Sequence, residues 1–294
     1  MLKMVIDNKI FEIRRDLSFS EILNNDQGNI ANHFNTHRFR QILEGNVSSL
    51  AWNYLLNLGN LSVSDYQTLD YFNKNSVSIK EKYVEEYNEI IDNDTIYLKT
   101  KIRKKLVLQD LLNHRKSTRK FIPRPMKFDV FSYCLMSLCN TKRHQTYGDF
   151  KVSARGYASG GGLYPVNVYV FSNKVEGIGT GWYKLQPASK TLRPISHDKN
   201  DEIATKRAID IKEAAFGIVY VLNLGKIYPK YGELSLALAF QEIGEMAQII
   251  DLYSVALGLG SCQSASFNKR LIQSLLKIDG VTEQALHTQI VGII

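Results

Sequence analysis

The chain has 294 residues, of which 44% are hydrophobic and 22% are charged, so its composition is that of a globular protein with room for one large domain or two. The net charge of +8 is spread along the sequence, and no helix-turn-helix, zinc-finger or aromatic RNA-binding signature accompanies it. This argues against nucleic acid as a partner. A phosphate-bearing cofactor or an acidic partner explains the positive charge as well as nucleic acid does.

The cysteines and the apolar runs predict the compartment. Cys134, Cys139 and Cys262 form no CxxC pair, which argues against a disulfide framework or a structural zinc site. The opening residues carry acidic side chains where a signal peptide needs an apolar core, and the longest apolar run, 214–224, is too short to span a bilayer. We expect a cytoplasmic protein with no membrane segment and no metal. His33 and His37 are interpreted as a polar surface pair.

Residues 1–105 are predicted to form a smaller, mainly helical N-terminal region. Serine precedes an apolar helical pattern in SFSEIL, SSLAWNYLLNLG and SVSDYQTLDYF, as it does at many helix starts. The acidic stretch EEYNEIIDND is followed by the basic run KTKIRKK, and this reversal of charge predicts a boundary near residue 100.

Helical and strand patterns alternate in residues 106–294. LVLQDLLNHR and FDVFSYCLMSLC have helical spacing, so the thiols of the second are expected in a core, and VNVYVF, GWYKL and FGIVYVLNL resemble strands. The long apolar segment LSLALAFQEIGEMAQIIDLYSVAL predicts a largely buried helix, which Gly258 and Gly260 are expected to end because glycine reaches the left-handed conformation. TQIVGII predicts a closing strand.

A basic segment follows the first of these helices. HRKSTRKF places Arg115, Ser117 and Arg119 at alternate positions, which project to one side of an extended backbone. Arginine donates paired hydrogen bonds and serine adds a hydroxyl, so the three side chains could hold a phosphate. For this spacing alone, a solvated basic loop is the commoner alternative.

Three consecutive glycines precede the predicted strand VNVYVF. In YASGGGLYP, Gly160, Gly161 and Gly162 would let backbone amides approach a flat ring or an anion, and Ser159 could hydrogen-bond the edge of a heterocycle. A tight turn is the alternative. The second cluster, GIGTG, leads into a strand pattern instead of a helix, which excludes a Rossmann fingerprint.

Lys230 and Tyr231 come directly before the long helix. The pair could act as base and proton donor if burial lowers the pKa of the lysine, because an ammonium loses hydration there. The alternative is a surface lysine beside a packing tyrosine.

Taken together and in order, these segments resemble the nitroreductase-like flavoproteins. Within them the chain is similar to the SagB-type dehydrogenases of thiazole/oxazole-modified peptides, as in the streptolysin S and microcin B systems. The resemblance runs from about Leu108 to the C-terminus and is carried by RKSTRKF, RGYASGGGLYPVNVYVF, GWYKLQP, PKYGELSLALAFQEIGEMAQ and ALGLG. It implies an α+β fold with a mainly antiparallel central sheet flanked by helices, non-covalent FMN and an active site near a dimer interface.

The resemblance also implies roles for particular residues. Arg115, Ser117 and Arg119 would hold the FMN phosphate and ribityl chain, and Lys230 and Tyr231 would assist deprotonation of an azoline ring. The remaining cofactor-binding residues that it implies are Ser159, Gly160, Gly161, Gln248, Gly258, Gly260 and Ser261. Three departures from the family pattern concern Ala158 in place of proline, Ile249 in place of asparagine, and a C-terminal TQIVGII without a basic residue for the phosphate.

The function that this resemblance implies is oxidation of azolines to azoles in a ribosomally made peptide. The implied partners are the precursor peptide, a YcaO-type cyclodehydratase with its partner subunit, and a second copy of the chain. Residues 1–105 would then contact a partner or the peptide, or would only cover the catalytic domain, residues 106–294. Two alternatives stay open: an NAD(P)H-dependent nitro or quinone reductase, and a non-catalytic scaffold subunit.

Overall fold

The computed structural model describes residues 54–55, 89–99, 102, 107–141, 143–147, 150–198, 209 and 211–294. Contacts divide the chain into two units, Met1–Asn60 and Leu61–Ile294, and the sheet and helices below belong to the second. Most of the predicted N-terminal region, with its predicted helices and the His33 and His37 pair, lies outside the described residues.

Seven strands of the described residues form one antiparallel sheet in the order β1-β6-β5-β4-β7-β9-β8. Their bounds are β1 Ile96–Tyr97, β4 Val166–Ser172, β5 Gly181–Gln186, β6 Thr191–Ser196, β7 Phe216–Asn223, β8 Leu259–Ser264 and β9 Glu283–Ile293. A separate hairpin pairs β2, His144–Tyr147, with β3, Phe150–Ser153. The expected α+β fold with a mainly antiparallel sheet is therefore confirmed.

Five α-helices of the described residues accompany the sheet. They are α1 Leu108–His114, α2 Phe128–Met136, α3 Leu224–Tyr231, α4 Leu234–Leu257 and α5 Lys269–Leu275. Three of them, α1, α2 and α4, lie where the apolar spacing predicts helices. The helix α3 contains Pro229, and its sequence pattern does not predict a helix.

Both faces of the sheet are covered, which explains why β4 is mainly apolar and is buried along its whole length. Val166, Val168 and Val170 pack with residues of α2 and α4 on one face. Tyr169 and Phe171 project to the other face, as alternation along a strand requires, and pack there with residues that include those of α5. The glycine-rich segment before β4 is thereby fixed to the centre of the fold.

The long helix α4 ends at Gly258, which has a φ of 72° and lies in the left-handed region, as expected. The prediction that Gly260 also ends this helix is wrong, because the chain enters β8 directly at Leu259. Gly260 is instead needed within the strand, where an added Cβ would lie 2.6 Å from Cγ2 of Thr118.

The three cysteines are free and buried, so the expectation that Cys134 and Cys139 are core groups is confirmed. Burial raises the pKa of each of these two thiols to about 12. They belong to the same apolar cluster as the inward-facing residues of β4.

Candidate active site

The glycine loop, residues 158–166, leads into β4 and contains a short 3-10 turn at Gly160–Gly162. Gly161 and Gly162 have φ values of 61° and 66°, which glycine adopts without a steric cost. The amides of Gly160 and Gly161, at the start of the turn, have no acceptor within the described residues, because the hydrogen bonds of the turn begin at Gly162. The loop therefore presents two N–H groups without side chains, which is what close approach of a ring or an anion requires.

Lys230 and Tyr231, at the end of α3, lie directly against the glycine loop. A Cβ added to Gly161 would lie 2.8 Å from Nζ of Lys230 and 2.7 Å from Oη of Tyr231. The ammonium of Lys230 also lies 5.2 Å from the centre of the Tyr231 ring. The structure thus brings together two motifs that are far apart in the sequence.

The electrostatic environment of Lys230 favours its neutral amine more than water does. The side chain is partly buried, and this burial lowers the pKa of Lys230 from its ordinary value. A lysine with a lowered pKa has a larger fraction of free amine near neutral pH and is a better proton acceptor.

The basic segment 115–119 runs beside β8. Ser117 pairs with Ser261 in a parallel bridge, and the amide of Thr118 donates a 2.8 Å hydrogen bond to the carbonyl of Ser261. A cleft of about 640 Å³ is lined by Lys116 and Thr118 from this segment. Ser117 does not line the cleft, as expected if alternate residues of an extended segment face opposite sides.

Asp251 of α4 connects this segment to the sheet, and the sequence pattern alone does not identify it. Its carboxylate is 3% exposed and accepts hydrogen bonds from Oγ of Ser261 at 2.7 Å, Nε2 of Gln263 at 2.9 Å and Nε2 of Gln289 at 2.6 Å. Nη1 of Arg115 lies 3.8 Å from the same carboxylate. A single aspartate in an otherwise apolar stretch of helix is the signal that could have revealed it.

Arg155 is a second residue to which the sequence pattern assigns no role. It is 1% exposed, and its guanidinium lies 4.5 Å from the centre of the Tyr164 ring and donates a 2.7 Å hydrogen bond to Oη of Tyr157. Its backbone amide donates to Oη of Tyr164 at 2.9 Å. Arg155 therefore supports the glycine loop from within the protein.

Arg119 and Gln248 make fewer contacts with the other predicted site residues. Arg119 is exposed; burial raises the pKa of the Cys262 thiol, and the charge of Arg119 partly opposes this rise. Gln248 is half-buried on α4 and makes no hydrogen bond to the other predicted site residues within the described part of the chain. Among the described residues, no hydrogen bond or ion pair joins the glycine loop to segment 115–119.

Metal sites and membrane-spanning helices are both absent from the ranges that the structure describes. In these ranges, no cluster of three or more His, Cys, Asp or Glu side chains has an arrangement suited to a metal ion. None of their helices combines the length and the apolar character that crossing a membrane requires.

The fold and these motifs define the class of protein. The model of the Nitroreductase family matches residues 112–293, more than half of the chain, so the protein belongs to the Nitroreductase family. Membership implies an oxidoreductase. The glycine loop, the Lys-Tyr pair and the basic segment all fall within the matched range.

Two proteins are similar to this chain in sequence. One is MJ1384 of Methanocaldococcus jannaschii, which carries a nitroreductase name and is 26% identical over 191 residues, covering 63% of this chain and 91% of that protein. The other is the microcin B17-processing protein McbC of Escherichia coli, which is 27% identical over 146 residues, covering 47% of this chain and 54% of that protein.

Solved structures show the same fold. A structure from Ralstonia eutropha that carries a nitroreductase name has a TM-score of 0.56 and 21% identity, covering 69% of this chain and 91% of that chain. A chain of the E. coli microcin synthetase McbBCD complex, solved with truncated pro-MccB17, has a TM-score of 0.52 and 18% identity, covering 80% of this chain and 98% of that chain. At these identities the likeness is one of fold.

Proposed function

We propose that this protein is an FMN-dependent azoline dehydrogenase, which oxidises thiazolines and oxazolines to thiazoles and oxazoles in a ribosomally made peptide. The observation that carries the proposal is the contact of Lys230 and Tyr231 with Gly161 in the glycine loop. Azoline oxidation removes a proton from carbon and therefore needs a base, whereas passing a hydride to a small acceptor does not. The similarity to McbC, which is named for processing microcin B17, supports this choice.

The residues around the loop fit FMN. The amides of Gly160 and Gly161, which have no acceptor within the described residues, suit the edge of a flat ring. Arg115, Ser117 and Arg119 would hold the phosphate and ribityl chain, with Arg115 oriented by Asp251. We propose the same cofactor contacts for Ser159, Gln248, Gly258, Gly260 and Ser261.

The proposed reaction takes one proton and one hydride from the azoline ring. Lys230 accepts the proton at Nζ from the carbon α to the carbonyl, and its lowered pKa favours the amine that this step needs. Tyr231 orients the ring or the amine through its hydroxyl. When bound, FMN would supply the acceptor for the hydride that leaves the neighbouring carbon, with molecular oxygen as the terminal oxidant. The aromaticity of the product drives the step forward.

We further propose that two copies of the chain build the site together and that the dimer works in the cytoplasm with a YcaO-type cyclodehydratase, its partner subunit and the precursor peptide. The microcin synthetase structure, which by its name contains McbB, McbC, McbD and truncated pro-MccB17, supports the complex. Residues 1–105 would contact a partner or the peptide, with a plain structural cover as the alternative.

The first experiment is to record the visible spectrum of the purified protein and identify the released chromophore by mass. Lys230→Ala is then compared with Lys269→Ala, an exposed lysine of α5, in azole formation by the reconstituted complex. We expect both variants to bind FMN and only Lys230→Ala to lose azole formation, by at least about a hundredfold. A protein that is colourless and takes up no FMN contradicts the proposal and favours a scaffold role.

The family name supports a second candidate, a reductase of nitro compounds or quinones that uses NAD(P)H. Anaerobic mixing separates the two candidates. Bleaching of the bound flavin by NAD(P)H, together with no bleaching by an azoline peptide, would favour the reductase. The reverse pattern would favour the dehydrogenase.

A further inference from the structure

The glycine loop has a backbone that needs support from outside. Besides Gly161 and Gly162, Tyr164 has a positive φ, of 47°, which is a costly conformation for a residue with a bulky side chain. The amide of Tyr164 donates a 2.9 Å hydrogen bond to Oγ of Ser159, so the serine hydroxyl helps to hold the loop in its turn. Strained loops of this kind persist only where surrounding groups over-determine them.

Two carboxylates of α4 provide that support at the two ends of the loop. Oε2 of Glu245 accepts a 2.7 Å hydrogen bond from the amide of Ala158, the first residue of the loop. Oε1 of Glu242 accepts a 3.3 Å hydrogen bond from the amide of Val166, the last residue. Glu242 is 1% exposed, so its carboxyl group is enclosed where β4 begins.

The spacing of Glu242 and Glu245 along α4 allows both side chains to reach the glycine loop from one side of the helix. Residues three positions apart lie on neighbouring turns of one helix side, with Cβ atoms about 5 to 6 Å apart. Because the two ends of the loop each bond to one of these glutamates, both ends are held at neighbouring turns of α4. The loop residues between these ends include Gly161, which contacts Lys230 and Tyr231.

We propose that Glu242 and Glu245 form a clamp that fixes the glycine loop to α4, and so act as positioning residues for Lys230 and Tyr231, which contact that loop from α3. The clamp keeps the amides of Gly160 and Gly161 and the amine of Lys230 at a fixed separation. The inference rests on the proposed function for its catalytic consequence. Its structural part, the restraint of the loop, holds or fails independently.

The test compares Glu242→Leu and Glu245→Leu with Glu242→Gln and Glu245→Gln. Leucine has a similar volume and accepts no hydrogen bond, whereas glutamine retains a carbonyl oxygen for the loop amide. Gln241→Leu, an exposed position on the same helix, is the matched control. Thermal unfolding shows whether each variant is folded.

The first measurement is residue-resolved amide hydrogen exchange of the full chain without added substrate. We expect the Glu245→Leu variant to speed exchange at Ala158 at least about tenfold, and Glu242→Leu to do so at Val166, while the glutamine variants and Gln241→Leu stay within about threefold of wild type. Unchanged exchange in folded leucine variants overturns the clamp. This result does not depend on flavin binding or activity.

The second measurement is azole formation by the reconstituted complex. We expect the leucine variants to lower kcat at least about tenfold while KM stays within about twofold, and the glutamine variants to recover most of kcat. An equal loss with leucine and glutamine overturns the positioning role even if the loop is restrained. If wild type itself forms no azole, the proposed function fails, and the exchange data still decide on the clamp.

Discussion

Oγ of Ser261 donates a 2.7 Å hydrogen bond to the buried carboxylate of Asp251, and the same carboxylate lies 3.8 Å from Nη1 of Arg115. One acidic side chain of α4 thus connects strand β8 to the segment proposed to bind the cofactor phosphate. Removing it would take an acceptor from three hydrogen-bond donors, two of them buried, and from an arginine, which is costly because buried polar groups are stable only when paired.

We therefore expect Asp251→Ala to lower the free energy of unfolding by about 3 kcal/mol and Asp251→Asn to lower it by about 1 to 2 kcal/mol, since the amide still accepts some of the bonds. Both should weaken FMN binding severalfold, because Arg115 loses the charge that orients it. Urea denaturation and flavin fluorescence measure the two effects. The exposed Asp129→Asn is the control. Wild-type stability in Asp251→Ala would show that the network contributes little.

A second prediction concerns Gly161, compared with Gly177 as a matched position. Both have positive φ, 61° and 80°, so alanine at either position should cost about 1 kcal/mol through the backbone. A Cβ on Gly161 would also meet Lys230 and Tyr231, whereas one on Gly177 would meet nothing within 4 Å.

We expect Gly161→Ala to reduce azole formation at least about tenfold and Gly177→Ala to leave it unchanged at similar stability. Steady-state assays of the complex, with thermal unfolding of both variants, check this. If the two variants lose activity equally, the contact with Lys230 and Tyr231 has no special role and the effect is one of backbone stability alone.

The elements that could be predicted from sequence are those with strong periodic patterns. The strand β4 and the long helix α4 have mainly apolar patterns that can be recognised without the rest of the fold. The strand β8, LGSCQS, has no apolar alternation and exists because it pairs with β9 and with Ser117. The helix α3 contains a glycine and a proline, which disfavour a helix, but buries Ile227 completely.

The candidate site, too, can be predicted from sequence patterns only in part. SGGG and the Lys-Tyr pair can each be found as a local pattern, and the family resemblance implies a role for both. Their contact at Gly161 depends on the packing of α3 against the glycine loop, which spacing does not encode. Glu242, Glu245 and Asp251 act through backbone amides or buried partners, so their types alone give little indication of function.

A third prediction concerns the thiols. Burial raises the pKa of Cys134 and Cys139 to about 12 and raises the pKa of Cys262 as well, so the reactive thiolate is scarce in the folded protein. We expect a thiol-specific disulfide reagent at about pH 8 to label none of the three within minutes in buffer and all three in denaturant. Rapid labelling of one thiol in buffer would indicate local opening or a reactive cysteine.

The last prediction is a pH dependence of stability that comes from Glu242. Burial raises the pKa of its carboxyl group from 4.5 to about 7, against the opposing effects of the nearby Ser159 hydroxyl and of the charges on Arg155 and Lys226. Its Oε2 atom is buried and accepts no hydrogen bond from the described residues. The folded state therefore binds the proton more tightly than the unfolded state does.

The sign follows from this difference in proton binding. The stabilisation from protonated Glu242 is complete below pH 4.5 and is lost as the pH rises through about 7, the pKa in the folded protein. At about 1.4 kcal/mol per pKa unit, the change is on the order of 3 kcal/mol. Glu242→Gln does not titrate and should not show it.

Urea denaturation of wild type and Glu242→Gln at about pH 5 and about pH 8 isolates this effect, because the other titrating groups are common to both proteins. We expect the stability of wild type relative to the variant to fall by roughly 2 to 3 kcal/mol between the two pH values. If the difference in free energy of unfolding between wild type and Glu242→Gln is the same at both pH values, the carboxyl group of Glu242 has an ordinary pKa. The enclosed carboxyl group would then be solvated, and its hydrogen bond to the amide of Val166 would contribute correspondingly little to the loop.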